Sequence, residues 1–250
     1  MSNVVASEWL KLRSLRATYY VLASTLSALA LTGFAAYSIS RYFDTNGPGG
    51  DPVGTGLSLS ADIPPVLFGM LGVFAISGEY ATGMIRLTLT TIRSRWTLLL
   101  AKAAVVAAVA AVAGQVLAFA TYFTAQAVVA GRPIGASFAE HAALAEVLTT
   151  GAGSAVAAVL GLGLATVLRS TPGALIALVV LPLSPIVLER FLSAPWNDWI
   201  SSLTIPSLAR QLAAVPDAGA FGPSTAAVIL VGYVVVSLLL ATLAINHRDA

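Results

Sequence analysis

Long apolar stretches alternate with short polar ones along the whole chain, and the apolar stretches outlast ordinary strands. Six stand out, at residues 17–40, 63–78, 103–131, 147–168, 170–188 and 225–246. A helix crossing the roughly 30 Å hydrocarbon core of a bilayer needs about 20 mostly apolar residues. Backbone groups cannot go unsatisfied there, which leaves helices or closed barrels. Barrel strands would alternate apolar and polar side chains, and these runs do not. The pattern predicts an all-α, polytopic membrane protein with six transmembrane helices, near 17–40, 60–79, 99–125, 145–168, 171–190 and 225–246, in one domain over 1–250. The second run is short and headed by Pro64-Pro65, so it must draw on flanking residues to cross. The third is long enough to tilt or overrun the bilayer. Only residues 169–172 separate the fourth from the fifth, which predicts a tight hairpin. Lys11, Arg13 and Arg16 resemble the basic start of a signal peptide. The run behind them exceeds the usual hydrophobic region of about 7–15 residues, so a retained first helix is expected.

Composition narrows the class further. Hydrophobic residues make up 58% and charged ones 10%, with a mean hydropathy of +0.88. A soluble domain carries about 25% charged residues; this chain lacks the polar surface for a soluble enzyme, a disordered chain or a nucleic-acid reader. Cysteine is absent, which excludes disulfides and thiolate metal sites. His141 and His247 lie far apart and suggest no metal site.

The position of the charges says more than their number. If the N-terminus is cytoplasmic, six spans return the C-terminus to the same side. Nine basic residues then lie inside (Lys11, Arg13, Arg16, Arg86, Arg93, Arg95, Lys102, Arg169 and Arg248) and four outside (Arg41, Arg132, Arg190 and Arg210). That is the positive-inside bias, so both termini are expected to be cytoplasmic. Trp9 and Trp96 fall at inner boundaries and Trp196 and Trp199 in the last outer loop, as interfacial aromatics should. The span centres carry no ionisable group, which argues against ion coupling and against buried catalysis. Gln115, Tyr122 and Gln126 in the third span are candidate pathway-lining residues; interhelical packing is the stronger account of each taken singly. Gly151, Gly153, Ala155, Ala157, Ala158, Gly161 and Gly163 give the fourth span a small-residue surface, for packing within the chain or for a dimer seam. No Gly-Lys pair exists to build a phosphate-binding Walker A loop, so the chain is expected to lack an ATPase site of its own.

The segment between the second and third spans, 78–102, reads GEYATGMIRLTLTTIRSRWTLLLAK. Basic and apolar residues mix in it, as in a short helix lying on a membrane surface or docking on a soluble partner. A plain basic loop is the alternative. Residues 41–62, rich in Gly, Pro and Asp, read as an exposed loop. Residues 190–222 combine Trp196, Trp199, Leu203, Leu208 and Leu212 with prolines, and predict short helices, re-entrant or interfacial.

Gly78-Glu79-Tyr80-Ala81-Thr82-Gly83-Met84-Ile85-Arg86 resembles the Glu-x-x-x-Gly loop after the second span of ABC-2 type permeases, the membrane subunits of ATP-binding-cassette exporters. Ser94-Arg95-Trp96, Lys102, the opening Glu8-Trp9-Leu10-Lys11-Leu12-Arg13-Ser14 and the closing His247-Arg248-Asp249-Ala250 also resemble that family. The ending resembles the Arg-Arg-Asp of many actinobacterial members, with histidine in place of the first arginine. The resemblance implies an interfacial N-terminal helix over 1–16, a cytoplasmic coupling loop over 79–98 and outer re-entrant helices before the last span. It also implies that Glu79, Tyr80, Thr82, Gly83, Met84 and Arg86 bind a separate ATP-binding-cassette subunit, which would hold the ATP-Mg; no cofactor is expected in this chain. A second permease subunit, identical or paralogous, and membrane lipid would be the other partners, in a bacterial cytoplasmic membrane. Glu79 would sit near the N-terminus of the coupling helix, favoured by its dipole. The helical wheel over 1–16 is imperfect, because Glu8 falls among Val4, Leu12 and Leu15. The function so implied is export of a hydrophobic or amphipathic substrate. The alternative is a non-transporting six-span sensor, scaffold or assembly factor.

Overall fold

The computed structural model describes residues 2–14, 16–46, 52–81, 83–84, 95–128, 141–188, 191–193, 196–215 and 218–248. They form nine helices and no strand: α1 (Ser2–Ser14), α2 (Arg16–Asn46), α3 (Pro52–Ala81), α4 (Arg95–Val128), α5 (His141–Leu168), α6 (Thr171–Leu188), α7 (Trp196–Ser202), α8 (Ile205–Leu212) and α9 (Pro223–Arg248). Five contain stretches long and apolar enough to cross a membrane: Val21–Ser38, Asp62–Tyr80, Trp96–Val128, Leu144–Leu168 and Pro223–His247. The fifth expected span, α6, is apolar to its end at Leu188 but has only 18 residues. At 1.5 Å per residue that is about 27 Å, slightly less than the roughly 30 Å core. Pro182 and Pro185 near its end limit the ladder of backbone bonds that a longer helix would need.

Two boundaries differ from expectation. Of the expected loop over 41–62, residues 41–46 and 52–62 are helical instead: α2 runs on to Asn46 and α3 begins at Pro52. Pro64 and Pro65 lie inside α3 instead of heading it. Proline withholds its amide from the ladder but leaves the flanking turns intact, so a pair of prolines is tolerated when neighbouring helices hold the segment. Both side chains are buried.

The long helices run alternately between two ends of the bundle, and α5 is the central one, packed against α3, α4, α6, α8 and α9. Its small residues explain how so many neighbours fit. A Cβ on Gly161 would stand 2.0 Å from the Gly69 carbonyl oxygen, and one on Gly72 would stand 1.9 Å from that of Ala158. The α3–α5 crossing is therefore a contact of backbone on backbone. Gly151 meets Gln115 of α4, and Gly163 meets Ser237 of α9. The small-residue surface serves packing within the chain, on several sides of α5. The turn between α5 and α6 is as tight as expected: Arg169 adopts φ 52°, and Ser170 caps α6 by accepting from the Gly173 amide at 3.2 Å.

Aliphatic and aromatic side chains remain exposed along α2, α4, α6 and α9, Leu26, Phe34, Val112, Ile176 and Val228 among them. Patches this extensive do not persist on soluble monomers. Facing acyl chains, they cost nothing.

Candidate functional site

α3 ends at Ala81, and Gly83 and Met84 lie exposed beyond it. Gly83 takes φ 70° and its amide donates to the Tyr80 carbonyl at 3.2 Å. That left-handed turn stops the helix, a role glycine fills without steric cost. Glu79 therefore lies in the last turn of α3. The expectation that it heads a helix is corrected: the backbone dipole at a helix C-terminus disfavours an acid.

Two lysines hold Glu79 there. Its Oε1 accepts from Lys11 Nζ of α1 at 3.0 Å and from Lys102 Nζ of α4 at 3.0 Å. Lys11 also donates to Glu8 Oε1 at 2.8 Å, and Lys102 donates to Glu8 Oε2. Lys102 reaches the Ala75 carbonyl of α3 as well, at 3.1 Å. The four side chains thus alternate in sign around a closed ring that joins three helices. Glu8, Glu79 and Lys102 are buried, while Lys11 stays about one-third exposed. Burial pushes the Glu8 carboxyl up, but Lys102 and Lys11 more than offset it and hold it below the usual range. Burial pushes Lys11 down, and its bonds to Glu8 and Glu79 outweigh that and raise it. Glu79 Oε2 is buried with no hydrogen-bond partner among the described residues.

Tyr80 extends the linkage. The Arg169 guanidinium lies 5.5 Å above its ring, a cation–π distance, and donates to the Ala244 carbonyl of α9 at 3.4 Å. So the residues ending α3 touch α1 and α4 through Glu79 and the α5–α6 turn through Tyr80, and Arg169 carries the link on to α9. Met84 is exposed just beyond the turn. Thr82 and Arg86, the other two expected partner-binding residues, lie outside the described residues. Of the pathway candidates, Gln115 donates to the Val147 carbonyl of α5 at 2.8 Å, and Gln126 donates to the Tyr122 hydroxyl at 2.9 Å. Tyr122 is buried. Each makes a contact within the bundle.

Sequence reasoning passed over Glu8, Lys11, Lys102 and Arg169 as site residues. The signal was present in Glu8, a carboxylate on the apolar side of α1, in a chain where charge is scarce.

The opposite end is closed by α7 and α8. Thr204 caps α8, its hydroxyl accepting from the Ser207 amide at 3.3 Å. Buried Gln211 ties the cap together. Its Nε2 donates to the Ser202 carbonyl at 2.9 Å and its Oε1 accepts from the Phe221 amide at 2.9 Å. Ala209 and Ile205 rest on Gly153, in the first half of α5, so the expected short helices pack against the bundle.

Fold and site together define an all-helical, multi-pass membrane protein whose long helices are locked by charge at one end. Residues 21–250 match the family described as "Protein of unknown function (DUF2705)", and the chain belongs to that family. The match takes in Glu79 and Lys102, while Glu8 and Lys11 precede it. No curated protein matches the chain.

Proposed function

We propose that the chain is the permease subunit of an ATP-binding-cassette exporter in a bacterial cytoplasmic membrane. It moves a hydrophobic or amphipathic substrate and works as a dimer with an identical or paralogous subunit. ATP-Mg is held by a separate ATP-binding subunit that docks on residues 79–86. One observation carries this reading: the end of α3 is coupled through Glu79 and Tyr80 to α1, α4, the α5–α6 turn and α9. A push at that point reaches most of the bundle, as a device driven from outside requires. The span centres hold no ionisable group to drive it from within.

In this reading α6 is the sixth span and both termini are cytoplasmic. Support comes from its extent: it starts at the Arg169 turn beside Tyr80 and reaches Pro185, which lines the same cavity as Trp199 of the cap. A short span of this kind is accommodated by local thinning of the bilayer. The cap helices are then re-entrant from the outer face.

The test is co-purification with the ATP-binding subunit, and substrate-stimulated ATPase, in two variants. Met84→Asp places a charge on an exposed apolar contact and leaves the charge ring alone. The second combines Glu79→Lys with Arg86→Glu. Loss of association or stimulation in Met84→Asp is expected. Unchanged association and coupling in both variants sink the loop assignment. Stimulation by a strongly charged sugar polymer alone, with no response to amphipathic compounds, sinks the substrate class.

A further inference from the structure

At the cap end two cavities adjoin and share a wall of Asp62, Val66, Pro182, Pro185, Thr204 and Pro206. One, of about 850 Å³, is a chamber of mixed lining that carries the ionic side chains Asp62, Asp198 and Arg210 beside Trp199 and Ser201. The other, of about 380 Å³, is an apolar slot running between α5 and α6 past Leu160, Leu164, Leu178 and Leu181. Both volumes fall in the range of small-molecule sites, about 300–1,000 Å³. A chamber carrying ionic groups beside an apolar slot has the outline of an amphiphile, with a charged head and a hydrocarbon tail.

The ionic side chains of the chamber define the head. Arg210 approaches Asp62 with one nitrogen, Nη2, at 3.6 Å, and its Nε is buried with no acceptor among the described residues. A guanidinium is built to take two oxygens of one phosphate or carboxylate, so this edge lacks an anionic oxygen. Asp198 has no ion-pair partner among the described residues. Trp199, half exposed, lines the same chamber, and a carboxylate and an indole ring in one cavity suit an ammonium. A purely anionic head would meet two carboxylates, and a purely cationic head would leave the Arg210 Nε unsatisfied.

We propose that the adjoining cavities bind a zwitterionic amphiphile. Its tail lies in the α5–α6 slot, its anionic oxygen on Arg210, and its ammonium beside Asp198 and Trp199. The assignment does not rest on the permease reading, since it uses only the cavity and its charges.

The test titrates the full chain, in nonionic maltoside micelles, with dodecylphosphocholine, dodecyl phosphate and dodecyltrimethylammonium, counting bound adducts by native mass spectrometry. Dodecylphosphocholine is expected to bind one per chain and at least about tenfold more tightly than either singly charged head. Arg210→Gln brings its affinity down to that of dodecyltrimethylammonium, and Asp198→Asn to that of dodecyl phosphate. Leu181→Trp, which fills the slot from an exposed position and leaves α8 untouched, removes binding of all three. Equal affinity for the three heads overturns the proposal. So does dodecylphosphocholine binding that persists in both Asp198→Asn and Leu181→Trp. Displacement of dodecylphosphocholine by two-chain phosphatidylcholine identifies the ligand as bilayer lipid; retention against it identifies a single-chain amphiphile.

Discussion

Lys102 sits where a charged residue is most expensive, buried at the start of a long apolar helix, and Glu8 and Glu79 make the position tolerable. Removing one member of a buried ion cluster leaves an uncompensated charge, at a cost of about 3–5 kcal/mol. Lys102→Met should therefore lower the thermal midpoint of the purified protein far more than Arg13→Ala, an exposed position in the same region. The triple change Glu8→Gln, Glu79→Gln, Lys102→Met should recover part of the loss, because no lone charge remains. A triple variant no more stable than Lys102→Met alone would show that the ring is incidental. The pH response follows from the two displaced groups. Glu8 is lowered from the ordinary 4.5, so its contribution is complete above that value and is lost as pH falls through its lower folded value. Lys11 is raised from the ordinary 10.5, so its contribution is complete below that value and is lost as pH rises past its higher folded value. The thermal midpoint should stay level between these limits and fall outside them. In Glu8→Gln the acid limb should flatten. Glu8 was legible in the sequence as an anomaly on α1, but nothing in a linear chain pairs it with a lysine 94 positions away.

For the helices, the apolar runs foretold almost every long element, because length and hydropathy are local properties. They failed where proline was read too strongly. Pro64-Pro65 suggested a boundary, yet α3 passes through both, since burial among neighbours replaces what the missing amides withhold. Glycine shows the opposite limit: the sequence marked the small residues of α5 and could not say which helix each admits. Gly72→Ala should be severe, because the added carbon would stand 1.9 Å from the Ala158 oxygen and force α3 from α5. Overpacking of this kind costs about 1–3 kcal/mol or more. Gly78→Ala, in the same helix with nothing within 4 Å, should be neutral or stabilising by up to about 1 kcal/mol. Comparing the midpoints of the two variants checks this, and equal effects would show that the close α3–α5 crossing is absent.

At the scale of the whole molecule the undecided quantity is parity, five crossings or six, and it turns on α6. The chain has no cysteine, so any single introduced cysteine reports without background. Ser14→Cys and His247→Cys should label from the same side of sealed vesicles if α6 crosses, and from opposite sides if it does not. Ser193→Cys should label from the side opposite Ser14→Cys in the six-span arrangement. Charge bias along the sequence predicts the six-span arrangement, but charge counting is a statistic of loops and does not itself establish that α6 crosses. Nor did composition foretell the cavities under the cap, which arise from helices meeting across the fold.

The charge ring also sets an order of assembly. Glu8 leaves the ribosome 94 residues before Lys102, an interval of about 5–20 s at ordinary synthesis rates. Until then α1 has Lys11 as its own partner at i+3, a bond it makes without help from the rest of the chain. Docking of α1 must await the third long apolar helix, so α1 cannot settle until α4 has been made. A Leu12→Cys probe, at a position buried in the finished fold, should stay reactive on nascent chains arrested short of residue 102 and become protected on longer ones.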